Sequence, residues 1–361
     1  MGVIMLAIKA SNVSKVFKVS KLIPSSSTFG QVHWLISLRY ILGFREKRKI
    51  IALNNINLEI DEEIFGIVGP NASGKTTLLK IFSGLLLPDS GKVEVYGHDI
   101  VEEEKIVKRL VNFVGSARWI TFDYHLTVRE NLEFFSLIYG LEKSYVKSRI
   151  NEVLGMLGLL DRQDDYVWRL SAGMRQKMSI ARGLILETPI LLLDEPTTGL
   201  DPLSARDLRD YIRIAVKEKK LYRTVVISSH NMRDIEDLCD KVAIIHKGRI
   251  IKCGTLDEII RSVRGLSVIE VEGYNIPYNV CELIGRIYDV VSVNVEFKDE
   301  SIGRGNIRVL TDSPERIVYK VVKALIDINC RILSLKMDKP TLNDAYMKII
   351  GVNLYGGKTR S

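Results

Sequence analysis

The spacing of apolar positions changes several times along this chain, and each change marks an element. Residues 3–10 alternate between apolar and polar, as an edge strand does. Residues 20–30, centred on Pro24-Ser25-Ser26-Ser27-Thr28, have no period and read as a loop. Trp34, Leu35, Ile36, Leu38, Tyr40, Ile41, Leu42 and Phe44 then predict a short helix that is apolar almost all round, with Arg45 to Lys49 as its basic tail. Residues 18–50 therefore read as an insertion between two strands, the second being the alternating run 52–60. Residues 65–68 form a short continuous apolar run, and 77–83 return to helical spacing. Residues 105–140 and 141–160 read as mostly helical, with 105–180 as a helical subdomain. Residues 190–193 and 224–228 are apolar runs of buried-strand length. Residues 242–246 are a strand entering a hairpin at Lys247-Gly248, and 257–264 are a closing helix.

Beyond residue 262 the rhythm is different. Strand 266–271, helix 280–288, strands 290–297 and 305–311, helix 314–328, strand 331–337 and helix 341–350 follow one another. The βαββαβ order predicts a small split-βαβ α+β domain over 263–361, behind an α/β domain over 1–262.

The chemistry lies at the ends of the buried strands. Gly69-Pro70-Asn71-Ala72-Ser73-Gly74-Lys75-Thr76 has the spacing G-x-x-x-x-G-K-T, between a strand and a helix that opens with Thr77. Its glycines let backbone N–H groups turn inward around phosphate oxygens, Lys75 reaches the terminal phosphates, and Thr76 offers a hydroxyl to Mg²⁺. Asp194 ends an apolar strand, where a carboxylate needs a cation, and Glu195 follows it. Between these elements stands Ser171-Ala172-Gly173-Met174-Arg175-Gln176, a hydroxyl at the start of a helix, which is an anion-binding geometry.

These three elements in this order resemble the ATP-binding subunit of an ABC transporter, a P-loop NTPase, over roughly residues 3–262. The resemblance implies ATP and Mg²⁺ as ligands, held by Gly69 through Thr77, with Thr76 and Asp194 on the metal. It implies that Glu195 is the general base, that His230, after Ser228-Ser229, contacts the γ-phosphate, and that Asp201 organises water at a dimer interface. It implies that Ser171 and Gly173 bind ATP held by a second copy in a head-to-tail homodimer. Phe17 matches the aromatic that stacks on adenine; the alternative is a core aromatic of an edge strand. The family's Q-loop glutamine is absent from residues 113–120: its place is Ser116, a weak or water-mediated metal ligand, or Arg118, which cannot ligate a cation. Ala172 also replaces a usual glycine. Pro340-Thr341-Leu342-Asn343-Asp344-Ala345-Tyr346 resembles the tail of exporters with ABC-2-type permeases, with Asn343 where an acid is usual.

Composition narrows the reading. The 361 residues are 46% hydrophobic and 27% charged, which suits a globular chain with a sizeable core. No apolar run reaches the roughly 18 residues of a membrane span, so an integral membrane permease is expected as a separate partner, with this chain cytoplasmic and peripheral on the inner face. The net charge is +8, and residues 15–49 account for seven of it, with eight Lys or Arg against Glu46. The rest is near neutral, which argues against a nucleic-acid surface. Residues 34–49 either pack on their own domain or dock on the permease or inner leaflet, with Trp34, Tyr40 and the basic cluster as anchors. Cys239, Cys253, Cys281 and Cys330 form no C-x-x-C pair and read as reduced thiols. The rival readings are a soluble ABC ATPase acting on the ribosome, which usually carries two such domains in one chain; a chromosome-maintenance ATPase, whose motifs flank a long coiled coil; and a catalytically silent regulatory subunit.

Overall fold

A computed structural model describes residues 6–20, 47–115, 122–218, 221–261, 263 and 266–354. It divides into two compact units, Met1–His230 with Ile245–Ile250, and Asn231–Ile244 with Ile251–Ser361.

In the first unit, β3 (Ile64–Val68), β7 (Ile190–Asp194) and β8 (Thr224–Ser229) are buried along their whole length. Strands covered on both faces show the continuous apolar runs seen in the sequence, and the parallel pairing requires crossovers. The crossovers include α1 (Lys75–Phe82) and α6 (Pro202–Lys217). The sheet order is β3-β8-β7-β6, with β6 being Val111–Val114, and the last residues of β9 (Lys241–His246) lie beside β3. The register sets Val68 beside Ser229 and Asp194 beside Ser228, so three strands end level at one edge. In parallel α/β sheets this edge is where ligands bind. A second, antiparallel sheet has the order β2-β1-β4-β5, from β1 (Ile8–Ser20), β2 (Lys47–Ile60), β4 (Ser90–Val95) and β5 (His98–Asp99).

Helices follow their caps. α2 (Glu104–Leu110) leads into β6. α3 (Val128–Ile138) starts with a capping box: Thr127 Oγ1 accepts from Glu130 N, and Glu130 Oε2 accepts from Thr127 N. α4 (Lys143–Met156) and α5 (Ala172–Leu184) complete the helical part.

Several expectations are corrected. Residues 18–20 and 47–50 belong to paired strands, with Lys18 opposite Lys49 and Ser20 opposite Lys47, so the interruption between β1 and β2 is shorter than 18–50. Antiparallel pairing carries the alternation past the point where basic residues begin, so 47–49 are strand and not a helix tail. The helix expected over 34–44 lies outside the described residues, as do Ser116 and Arg118. Residues 111–114 are strand and not helix: Val111 and Val114 are buried beside β7, and Val-Asn-Phe-Val is too short to show its period in the sequence. β4 had no sequence expectation, because Ser90-Gly91-Lys92 masks its start.

The second unit contains α7 (Met232–Leu238), β10 (Arg249–Thr255, in part), α8 (Leu256–Arg261), and then β11 (Ser267–Tyr274), α9 (Val280–Gly285), β12 (Val290–Asp299), β13 (Arg304–Thr311), α10 (Pro314–Asp327), β14 (Arg331–Asp338) and α11 (Leu342–Leu354). The sheet order is β12-β13-β11-β14, and all its neighbours are antiparallel, giving two interleaved βαβ crossovers. Ile269, Val271, Ile307 and Val309 from the sheet and Ile317, Val321 and Leu325 from α10 form its core. Arg308 reaches Asp344 through Nε and Nη2 (3.2 and 2.9 Å) and Glu270 through Nη1 (2.6 Å). Asp344, next to the anomalous Asn343, also accepts from Thr341 N at 2.7 Å.

Tight packing makes one glycine of the first unit a test. A Cβ on Gly183 of α5 would lie 2.0 Å from Val114 Cγ2, and Asn112 Nδ2 donates to Gly183 O at 2.6 Å. Gly183→Ala is expected to lower stability by about 1–3 kcal/mol in urea unfolding, with much of the loss recovered in Gly183→Ala/Val114→Ala.

Candidate nucleotide site

The loop between β3 and α1 is forced into shape by its neighbours. A Cβ on Gly69 would stand 2.2 Å from Ile245 O, so only glycine fits there. Ala72 and Gly74 take left-handed φ (60° and 111°), and Ser73 N donates to Pro70 O. Lys75, buried, curls back: Nζ donates to Gly69 O (2.7 Å) and Pro70 O (3.2 Å) and lies 3.1 Å from Glu195 Oε1. Ser73 Oγ is buried with no hydrogen-bond partner, an orphan donor inside an anion-binding loop.

Asp194 is buried at the end of β7 and accepts from Thr76 Oγ1 (2.8 Å) and Ser228 Oγ (2.6 Å). The Thr76 hydroxyl and this carboxylate are the hard oxygen donors that suit Mg²⁺, which takes one or two protein ligands and completes its shell with phosphate and water. Among the described residues no cluster of three or more His, Cys, Asp or Glu could hold a metal by itself, and the Thr76–Asp194 pair fits a metal shared with phosphates.

Glu195 diverges from Asp194. It has a left-handed φ of 51°, a conformation that costs energy in a non-glycine residue, and its N–H faces Ser228 O and Ser228 Oγ, each at 3.1 Å. Oε2 meets His230 Nδ1 at 2.7 Å and accepts from His230 N at 3.3 Å. Oε1 is within ion-pair distance of Lys75 but makes no aligned hydrogen bond. The turn therefore leaves one carboxylate oxygen held by histidine and the other unbonded beside the loop.

Ser171 caps α5, accepting from Met174 N at 3.2 Å. A Cβ on Gly173 would lie 3.2 Å from Gly199 O, so the first turn of α5 closely approaches the turn before Asp201. Asp201 is the N-cap of α6: it accepts from Ser204 N (2.9 Å) and Ser204 Oγ (2.6 Å), and Lys177 Nζ is 3.5 Å away. These hydrogen bonds from Ser204, with Lys177 adding to them, hold its carboxyl well below the usual range. Phe17 is 37% exposed, beside a cavity of about 470 Å³ lined by Lys15, Lys18, Lys49, Leu86 and Asp89. Gly69, Lys75, Thr76, Asp194, Glu195 and His230 are thus linked in one network, Ser171 and Asp201 cap neighbouring helices, and Phe17 has no described contact with either group.

Ser228 was missed as a site residue. Its signal was present in Ser228-Ser229-His230, where a hydroxyl ends an apolar strand, but its role depends on the register with Asp194. Ser228→Ala leaves that buried carboxylate short of a donor and is expected to cost about 1–3 kcal/mol, read as a lower urea midpoint at unchanged slope.

Comparison with known proteins places the chain in a family. A profile of the ABC transporter family matches residues 53–198. The ABC transporter ATP-binding protein NatA of Bacillus subtilis (strain 168) is 38% identical over 61% of this chain and 89% of its own length. The bacitracin transport ATP-binding protein BcrA of Bacillus licheniformis is 30% identical over 84% of this chain and 94% of its own. Among solved structures, a dimeric ATP-binding cassette in a post-hydrolysis state with ADP and Pi aligns with a TM-score of 0.56 at 25% identity, covering 69% of this chain and 98% of that one. The relatives match along most of their length, and the loop, strand-end carboxylates and capped helix stand together in one unit: the chain belongs to the ABC transporter family, among its ATP-binding proteins.

Proposed function

We propose that the chain is the ATP-hydrolysing subunit of an exporter, with Glu195 as the general base. The observation that carries this reading is the split carboxylate pair: Asp194 turns to Thr76 and Ser228, while Glu195 turns to Lys75 and His230. Adjacent acids with separate partners have separate tasks.

Lys75 exchanges Gly69 O, Pro70 O and Glu195 Oε1 for oxygens of the β- and γ-phosphates, which frees Oε1 to accept a proton from the attacking water. His230 orients Glu195 through Oε2 and presents its other ring nitrogen to the γ-phosphate. Thr76 and Asp194 would hold Mg²⁺, which would neutralise charge on the phosphates. Gly69 through Thr77 cradle the phosphates, and Phe17, at the edge of its cavity, stacks on adenine. Ser171 and Gly173 offer the start of α5 to ATP held by a second copy, in a head-to-tail homodimer. Asp201 acts by fixing the start of α6 beside that site. Ser116, in one of two alignments of the Q-loop position, would be a weak or water-mediated ligand of that metal.

The motor drives a separate membrane permease from the inner face of the membrane. Among the described residues no helix is long and apolar enough to cross a bilayer. Relatives named for bacitracin transport and Nod factor export favour export. Residues 1–262 act as the ATPase domain and 263–361 as an accessory domain. Residues 34–46 supply a membrane-facing anchor, and deletion of 21–46 is expected to weaken binding to anionic vesicles; undiminished binding removes that role.

Purified protein is expected to hydrolyse Mg·ATP, with Glu195→Gln lowering turnover at least about 100-fold while forming an ATP-dependent dimer in size-exclusion chromatography. Unchanged turnover in Glu195→Gln defeats the assignment of the base.

A further inference from the structure

A buried charge remains that the chemistry of hydrolysis does not use. Arg149 on α4 is 3% exposed, and it is held on several sides. Nη2 donates to Leu184 O (2.8 Å) and to Tyr211 Oη (2.5 Å), and Nη1 donates to Glu152 Oε2 (2.8 Å). Nε lies 3.7 Å from Glu187 Oε1. Tyr222 Oη also donates to Leu184 O at 3.3 Å. A guanidinium is costly to bury and is often replaceable by apolar packing, so its presence points to a geometric task.

Its partners define that task. Leu184 is the last residue of α5, the helix capped by Ser171, and its carbonyl is one that no intrahelical N–H can satisfy. A cation there also complements the helix dipole. Tyr211 lies on α6, the helix capped by Asp201. Arg149 therefore ties the last residue of α5 to the second half of α6, in the two helices that Ser171 and Asp201 cap. The near ends are tied separately, by the close approach of Gly173 to Gly199 and by Lys177 to Asp201. Two helices joined at two separated points cannot change their relative angle without breaking one tie.

We propose that Arg149 is a positioning residue that makes α5 and α6 one rigid body, so that Ser171 and Asp201 reach the second copy's ATP together. This rests on the reading of Ser171 and Asp201 given above. The nucleotide loop leads into α1, outside this brace, so loss of Arg149 leaves ATP binding by a single copy intact and damages only the joined state.

The test is a double-mutant cycle between the rear tie and the front tie. Lys177 and Leu184 are about 10 Å apart along α5, a separation at which unconnected effects usually combine independently. Arg149→Met and Lys177→Met are each expected to lower kcat by about 10- to 100-fold with KM for ATP changed less than about twofold. The double variant is expected to lose distinctly less than the product of the two single losses, because either break already frees the helices. In the Glu195→Gln background, Arg149→Met is expected to weaken the ATP-dependent dimer. Should Arg149→Met not fold, Arg149→Lys and Tyr211→Phe replace it in the cycle. A double loss equal to the product, or a rise in KM at unchanged kcat, overturns the brace. Glu195→Gln that dimerises equally well with and without Arg149 also overturns it, whereas Glu195→Gln that never dimerises with ATP removes the underlying reading of Ser171.

Discussion

The first unit depends on a buried carboxylate. Asp194 ends a strand of Ile-Leu-Leu-Leu, and burying an ionised group there is costly unless hydrogen-bond donors converge on it. Two do, and they come from different elements: Thr76 opens α1, and Ser228 nearly ends β8. Satisfying one charge therefore fixes the phosphate loop against the sheet. The parallel register that sets Asp194 beside Ser228 is the same register that brings β3 and its loop level with both.

Glu195 departs from that arrangement by one residue, at the cost of a left-handed backbone. Continuing the strand would send its side chain to the opposite face of the sheet. The turn instead presents its carboxylate between His230 and Lys75, with its own N–H held by Ser228. Ser228 thus serves both acids, its hydroxyl hydrogen going to Asp194 and its oxygens facing the Glu195 N–H. Strain located at a strand end beside a phosphate loop is the sort that chemistry requires and surrounding structure maintains.

Around this centre rigidity comes from close approach more than from charge. Gly69 against Ile245 and Gly183 against Val114 are places where a Cβ would collide with a neighbour, and Gly173 stands close against Gly199. Each lets two elements meet at backbone distance, so displacement of one is felt by the other. Arg149 supplies the corresponding tie in a buried region where no glycine serves.

Much of this was legible in the sequence because it depends on local pattern. The buried strands show as apolar runs, the phosphate loop as a glycine spacing with a strand before it and a helix after it, and the C-terminal elements as alternating periods that match the observed order β11-α9-β12-β13-α10-β14. Ser171 reads as a helix start because capping is a short-range preference, whereas the capping of α6 by Asp201 emerged only in the structure. The pairing of strands is not local. That residues 18–20 and 47–50 are paired, that 111–114 join a sheet and that Ser228 meets Asp194 follow from register, which one strand cannot reveal without its partner. That Asp194 meets Thr76 and Ser228 while Glu195 meets Lys75 and His230, and that Arg149 is buried between the end of α5 and Tyr211 of α6, was decided by tertiary structure, because packing determines which atoms stand within hydrogen-bond reach.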